Sequence, residues 1–184
     1  MSALPKAKMT VDEFLIWSDS VDGRYELLDG VVHRMQSERA RHAERKFAVQ
    51  MALRGAIRAK GAPFQMLPDG MTVRIDEHTA YEPDALVYCG DALDDEAVEV
   101  PAPVIVVDVL LPSTGQIDTG RKLIDYFKLP SVIHYIIVNP AKPPVVHHAR
   151  QSGGMILTRL AAAGELSLDP PGICVTVEQL FEQI

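Results

Sequence analysis

Asp84 in YEPDALVYC (81–89) and Asp108 in VIVVDVLLPST (104–114) are carboxylates set inside aliphatic, β-prone runs. An isolated ionised carboxylate in apolar surroundings costs on the order of several kcal/mol. Each acid therefore reaches an edge or has a partner, which can be a cation, a hydrogen-bond donor or a metal ion. Side chains alternate along a strand, so Asp108 shares a face with Val106 and Leu110, and Asp84 shares one with Glu82 and Leu86. If the two runs are neighbouring strands, the acids converge on one point. Two carboxylates that close repel each other unless a cation lies between them. Mg²⁺ (or Mn²⁺) suits such a pair, because it takes one or two carboxylates with a backbone carbonyl and keeps its waters. Glu26 in RYELL offers a third carboxylate from a β-prone run.

The run DTGRKLIDYF places Asp118, Lys122 and Tyr126 at i, i+4 and i+8, on roughly one face of a helix. That helix follows the Asp108 strand after Pro112-Ser113-Thr114, so Lys122 could reach back over the strand's carboxyl end. Two carboxylates, a metal and a lysine are the parts for hydrolysing a phosphodiester. The metal lowers the pKa of its water and offsets phosphate charge. The lysine stabilises the pentavalent transition state.

Several elements must position these groups. Thr10 and Glu13 have capping-box spacing, which predicts a short helix through Trp17. Asp29-Gly30 between two β-prone runs predicts a hairpin, and Asp69-Gly70 in FQMLPDGMTVRI repeats the pattern. Residues 38–60 read as a helix whose apolar stripe is not clean. Strands are expected over 82–89 and 104–111, the latter central with both faces covered because it is apolar on both alternating sets. A helix from Gly120 to Leu129 stops at Pro130, and HYIIVN is a strand. VVHHAR and MILTRL flank a Gly153-Gly154 turn, and Thr176 with Gln179 caps a short C-terminal helix. In VVHHAR the alternation points His147 and His148 apart, which makes them a poor chelate. The order of elements predicts a single α/β (α+β) domain over 1–184, built on a sheet.

The 184 residues carry a net charge of −7, which argues against a general nucleic-acid-coating protein. The charge is uneven. Residues 1–60 have 11 Lys/Arg against 8 Asp/Glu, whereas residues 61–120 have 1 against 12. Arg39, Arg41, Arg45, Lys46, Arg54 and Arg58 form a basic stretch that is either a solvated face or a phosphate-contacting surface. The 2 cysteines are far apart and build neither a zinc motif nor a disulfide framework. No apolar run approaches the ~20 residues that span a bilayer. A soluble protein of the reducing cytoplasm, without a membrane partner, is the expectation.

Taken in order, YELLDG (25–30), YEPDALV (81–87), DVLLPST (108–114), the Asp118-to-Tyr126 run and LPSVIHYIIVNP (129–140) resemble the Uma-two family of restriction endonucleases, within the PD-(D/E)XK nuclease superfamily. The resemblance spans about Thr10 to Ile184. It implies a restriction-endonuclease-like fold, a central mixed β-sheet flanked by helices, with an N-terminal hairpin. It implies Asp84 and Asp108 as metal ligands, Glu26 as a supporting acid and Lys122 as the lysine migrated from the strand position that Leu110 fills. His42 matches a histidine common after the first hairpin. The second acid is usually glutamate, whereas here it is the shorter Asp108. Leu111 replaces a usual serine, and Glu82 stands where a neutral polar residue is frequent.

The resulting expectation is a Mg²⁺-dependent DNA endonuclease that works as a homodimer, because cutting both strands of a duplex suits two-fold symmetry. Asp84, Asp108 and the Val109 carbonyl would hold the metal, with Glu26 in support, and Lys122 would assist the attacking water. Glu82, His42, Asp118 and Tyr126 are auxiliary candidates. The alternative is a catalytically impaired nuclease-like fold that serves as a nucleic-acid-binding or protein-interaction module. A hydrolase of small phosphoesters is a third reading. Each residue also has a plainer role: Asp108 as a satisfied buried acid, Lys122 as half of an i, i+4 pair, Glu26 and His42 as solvated side chains, and Tyr126 as core.

Overall fold

The computed structural model describes residues 4–5, 7–110 and 116–182, with side chains given for all but 116–119 of these. In chain order the elements are α1 (Val11–Asp19), β1 (Tyr25–Leu28), β2 (Val31–Arg34), α2 (Ala40–Lys60), β3 (Phe64–Pro68), β4 (Val73–Asp76), β5 (Thr79–Tyr81), β6 (Ala85–Cys89), β7 (Pro103–Val109), α3 (Gln116–Tyr126), β8 (His134–Val138), β9 (Val145–Arg150), β10 (Ile156–Ala161), β11 (Glu165–Leu168), β12 (Ile173–Thr176) and α4 (Val177–Leu180). The central sheet has six strands in the order β10-β9-β8-β7-β6-β3. Only β7 and β8 run parallel, which makes the sheet mixed. A four-stranded sheet, β2-β1-β5-β4, lies against it, and β11 pairs with β12 alone.

Local chemistry accounts for most boundaries. Thr10 and Glu13 close both arms of the capping box on α1, and Thr176 with Gln179 does the same on α4. Asp29 and Gly30 both have positive φ (49° and 79°), as a two-residue hairpin turn requires, and β1 pairs with β2 across them. Asp69-Gly70 behaves differently. Its flanking strands form, but β3 pairs with β6 and β4 pairs with β5, so the chain steps from one sheet to the other there. Asp-Gly chemistry specifies a turn; which strands then pair is decided by where each buries its apolar face.

Every residue of β7 is buried, as the doubly apolar pattern requires. Burying each Val or Ile in it contributes about 1.5–3 kcal/mol. On one face, Val49, Leu53 and Ile57 of α2 pack against Ile105, Val107 and Val109, together with β11, β12 and α4. On the other face, Val106 meets Tyr126, Tyr135 and the four-stranded sheet's Val73, Ile75 and Tyr81. A smaller cluster seats Val11 and Phe14 of α1 on Tyr25, Leu27 and Val32. The β11–β12 hairpin and β5 lie outside the elements that the sequence pattern predicts. His147 and His148 do point apart: His147 Nε2 lies 3.0 Å from His134 Nδ1, while His148 Nδ1 lies 2.8 Å from Thr158 Oγ1 and its ring stacks on Tyr135. No described helix is long and apolar enough to cross a membrane.

Candidate functional site

A cleft of about 300 Å³ opens between the two sheets, at the carboxyl end of β7. Glu26, Glu82, Asp84, Asp108, Val109, Lys122 and His42 all line it. The β6–β7 ladder fixes its centre. Ala85 pairs with Val107, which puts Asp84 opposite Asp108. The Asp84 N–H donates to the Val107 carbonyl at 2.9 Å, and the Val109 N–H donates to Asp84 Oδ2 at 2.6 Å. The Asp84 side chain thus replaces a backbone acceptor at the end of the ladder, and its two bonds bracket Asp108. Burial, then the nearby Asp108, pushes the Asp84 carboxyl up to about 7; the Val109 N–H, His42 and Lys46 pull the other way.

Around Asp108, Tyr135 Oη donates to Oδ2 at 2.8 Å and Lys122 Nζ lies 3.8 Å from Oδ1. Lys122 is largely buried and donates to Glu26 Oε1 at 2.8 Å. It also sits 5.0 Å from the centre of the Tyr81 ring. Glu26 accepts a further bond from the Glu82 N–H at 3.2 Å. Burial raises the Glu26 carboxyl, against the opposing pull of Lys122. Lys122 therefore couples the acid of β1 to the acid of β7, because the crossover from β7 to the parallel β8 carries α3 over the strand ends.

Around Asp84, α2 contributes a stripe at four-residue spacing. Gln50 Nε2 donates to the Asp84 carbonyl at 2.8 Å, Lys46 Nζ lies 3.7 Å from Asp84 Oδ1, and His42 Nε2 lies 4.0 Å from Oδ2. Lys46 also bonds Glu38 and, at 2.7 Å, Asp69. Burial pulls the Lys46 ammonium down, but its bonds to Asp69 and Glu38 outweigh this and leave it raised. Arg24 ties Glu38, Asp69 and Glu82 into the same network at 3.2, 2.8 and 2.9 Å.

The sequence-predicted residues divide as follows. Asp84, Asp108, Lys122, Glu26, Glu82 and His42 come together at the cleft. The Val109 carbonyl is there too, but it accepts from His42 Nε2 at 2.7 Å. Tyr126 is fully buried between the Tyr81 and Tyr135 rings, at 5.6 and 5.0 Å, and is absent from the cleft lining. The Asp118 side chain lies outside the described residues. Sequence reasoning does not single out Glu38, Asp69, Arg24 or Tyr135, and it places Lys46 only in the basic stretch, whereas the structure buries it against acids. His42, Lys46 and Gln50 carry a signal, since they recur every fourth residue on the helix whose apolar stripe is imperfect, and Glu38 lies one such step before His42, ahead of the helix's first residue.

Residues 11–178 match the model of the Uma2 family, described as a putative restriction endonuclease. The chain belongs to the Uma2 family. It is 23% identical over 180 residues to the uncharacterized protein slr1290 of Synechocystis sp., covering 96% of this chain and 93% of that one. Among solved structures, a protein titled a putative nuclease belonging to DUF820, from Anabaena variabilis, superposes with a TM-score of 0.73 at 12% identity, over 94% of this chain and 97% of that one. The Uma2 chain described here therefore shares that fold, with a central mixed sheet flanked by helices.

Proposed function

We propose that this Uma2 protein is a divalent-metal-dependent endonuclease that hydrolyses DNA phosphodiesters, acting as a single domain with its core at about 24–140. The observation that carries the reading is the pair Asp84 and Asp108, placed opposite each other at the ends of β6 and β7, with a lysine within 4 Å of each. Burial and then the neighbouring Asp108 raise the Asp84 carboxyl, and a divalent cation between the two acids would favour its ionised form. Asp84 and Asp108 would hold Mg²⁺ or Mn²⁺. The bound ion would supply an acidified water and offset the phosphate's charge. Lys122, held by Glu26, directs its ammonium at the position where charge develops on the phosphate. Tyr135 fixes the rotamer of Asp108. A two-fold dimer would present two such clefts to the two strands of a duplex.

The test is supercoiled plasmid incubated with the protein in Mg²⁺, in Mn²⁺ and in EDTA. Nicking or linearisation that needs the metal and is lost in Asp108→Asn and Lys122→Ala supports the assignment. Cleavage that these variants retain overturns the site. A nucleotide-sized phosphoester that competes as well as duplex DNA would move the substrate to small phosphoesters. The non-catalytic reading, a nucleic-acid-binding or interaction module, draws support from the short Asp108, from the bond between His42 and the Val109 carbonyl, and from the net charge of −7. It expects DNA binding or partner capture without cleavage under any metal.

A further inference from the structure

We propose that Glu38, His42 and Asp84 form a separate transition-metal site on the α2 side of the cleft, one that takes Mn²⁺, Zn²⁺ or a similar ion through an imidazole nitrogen. It shares Asp84 with the pair above, but it does not require the protein to cut anything.

The argument begins with the His42 ring, which is 5% exposed. Its Nε2 lies 2.7 Å from the Val109 carbonyl oxygen. A carbonyl can only accept, so Nε2 carries the hydrogen and the neutral ring keeps its lone pair on Nδ1. Nδ1 is buried and, among the described residues, makes no hydrogen bond. Metal-bound histidines are held in this way, with one ring nitrogen donating to a backbone carbonyl and the other left for the ion.

That lone pair faces Glu38, and Asp84 lies beside the same ring. Nδ1 lies 3.6 Å from Glu38 Oε2, Asp84 Oδ2 comes within 4.0 Å of the same ring at Nε2, and one donor atom each from Glu38, His42 and Asp84 lies within 4.8 Å of the others. Bonds of about 2.0–2.2 Å to a metal put neighbouring donors roughly 3–4 Å apart. Donors up to 4.8 Å apart must draw in by roughly 1–2 Å to share an ion, and the partly exposed Glu38 side chain can supply its share. Glu38 gives Oε1 to Lys46 and Arg24, which leaves Oε2 for the ion.

Charge points the same way. Glu38, Asp69, Asp84 and Glu82 face only Lys46 and Arg24 within the network. With all four acids ionised, two negative charges remain, which a divalent ion cancels. One nitrogen and two oxygens favour Mn²⁺ or Zn²⁺ over Mg²⁺, which prefers oxygen ligands alone. Three protein ligands leave positions open to the cleft for water.

The test is calorimetric titration of metal-free, full-length protein with MnCl₂ and with ZnCl₂. X-ray absorption on the protein loaded with one equivalent of Zn²⁺ then reports whether an imidazole is bound. Wild type should bind with an imidazole signature. His42→Gln should weaken Mn²⁺ at least about 10-fold and lose that signature. Glu38→Gln, on a residue that makes no core contact, should weaken Mn²⁺ as well and guards against a folding defect in the first variant. Asp108→Asn should leave the His42-dependent binding in place, so that a failed cleavage assay and a failed metal site are told apart. Wild-type binding without imidazole, or affinities unchanged in both His42→Gln and Glu38→Gln, would overturn the proposal.

Discussion

The two sides of the cleft are built on one plan with different fittings. Each central acid has an ammonium at nearly the same distance, Lys46 3.7 Å from Asp84 and Lys122 3.8 Å from Asp108. On the α3 side the ammonium bonds Glu26 and lies against an aromatic ring. On the α2 side it is clamped by Glu38 and Asp69, and Arg24 braces both of these acids. The difference teaches that a lysine beside an acid is not a role in itself. Lys122, bonded to Glu26 at the cleft, is the lysine that the proposed nuclease reading sets against the substrate. Lys46 is fixed on several sides and suits holding the walls together.

Substitutions can break this contrast. The largest effect should come from removing either central acid. Asp84→Asn or Asp108→Asn is expected to lower metal-dependent plasmid cleavage by about 10²–10³-fold, which corresponds to losing several kcal/mol of transition-state stabilisation. Next, Lys122→Ala should cost about 10²-fold in cleavage with a small change in urea midpoint. Lys46→Ala should do the reverse, destabilising the fold by about 1–3 kcal/mol as Glu38, Asp69 and Asp84 lose their shared donor. If both lysine variants lose activity and stability in equal proportion, the distinction fails. A smaller effect is expected for Tyr135→Phe, where cleavage should fall about 10-fold through a less well fixed Asp108.

The same contrast sets the pH behaviour. The Asp84 carboxyl is raised from the usual carboxylate range to about 7, by burial and then by Asp108. A folded chain that holds a proton more tightly than the unfolded chain is favoured at low pH, and that advantage is lost as pH rises through the folded pKa. Metal-free protein should therefore lose stability to urea between about pH 4 and pH 7, and Asp84→Asn should flatten that slope. A slope that survives in Asp84→Asn would place the proton elsewhere. Because the metal needs the ionised carboxylate, its affinity should rise over the same interval.

Much of this was legible in the sequence. The doubly apolar β7, the Asp29-Gly30 hairpin and both capping boxes follow from local chemistry. Asp84 and Asp108 stood out as acids in aliphatic runs, and the spacing placed Lys122 near them. What sequence could not give was pairing. Asp69-Gly70 reads as a hairpin turn, yet it joins two different sheets, because register depends on contacts distant in the chain. The β11–β12 hairpin was missed because ELSL and ICVT are short and mixed in character. The α2 stripe was read as a flawed apolar face. Its N-terminal half buries His42 and Lys46 over the site, while its C-terminal half buries Leu53 and Ile57 in the core.

The chain passes between the two sheets by short connectors, from β3 to β4 at Asp69-Gly70 and from β5 to β6 at Glu82-Pro83-Asp84. Both connectors carry acids that Arg24 or Lys46 grips. Ion pairs therefore tie the chain down at both crossings between the sheets. On the proposed nuclease reading, a polyanion entering this cleft would compete for those cations, so rising salt should weaken the ion pairs and DNA binding together.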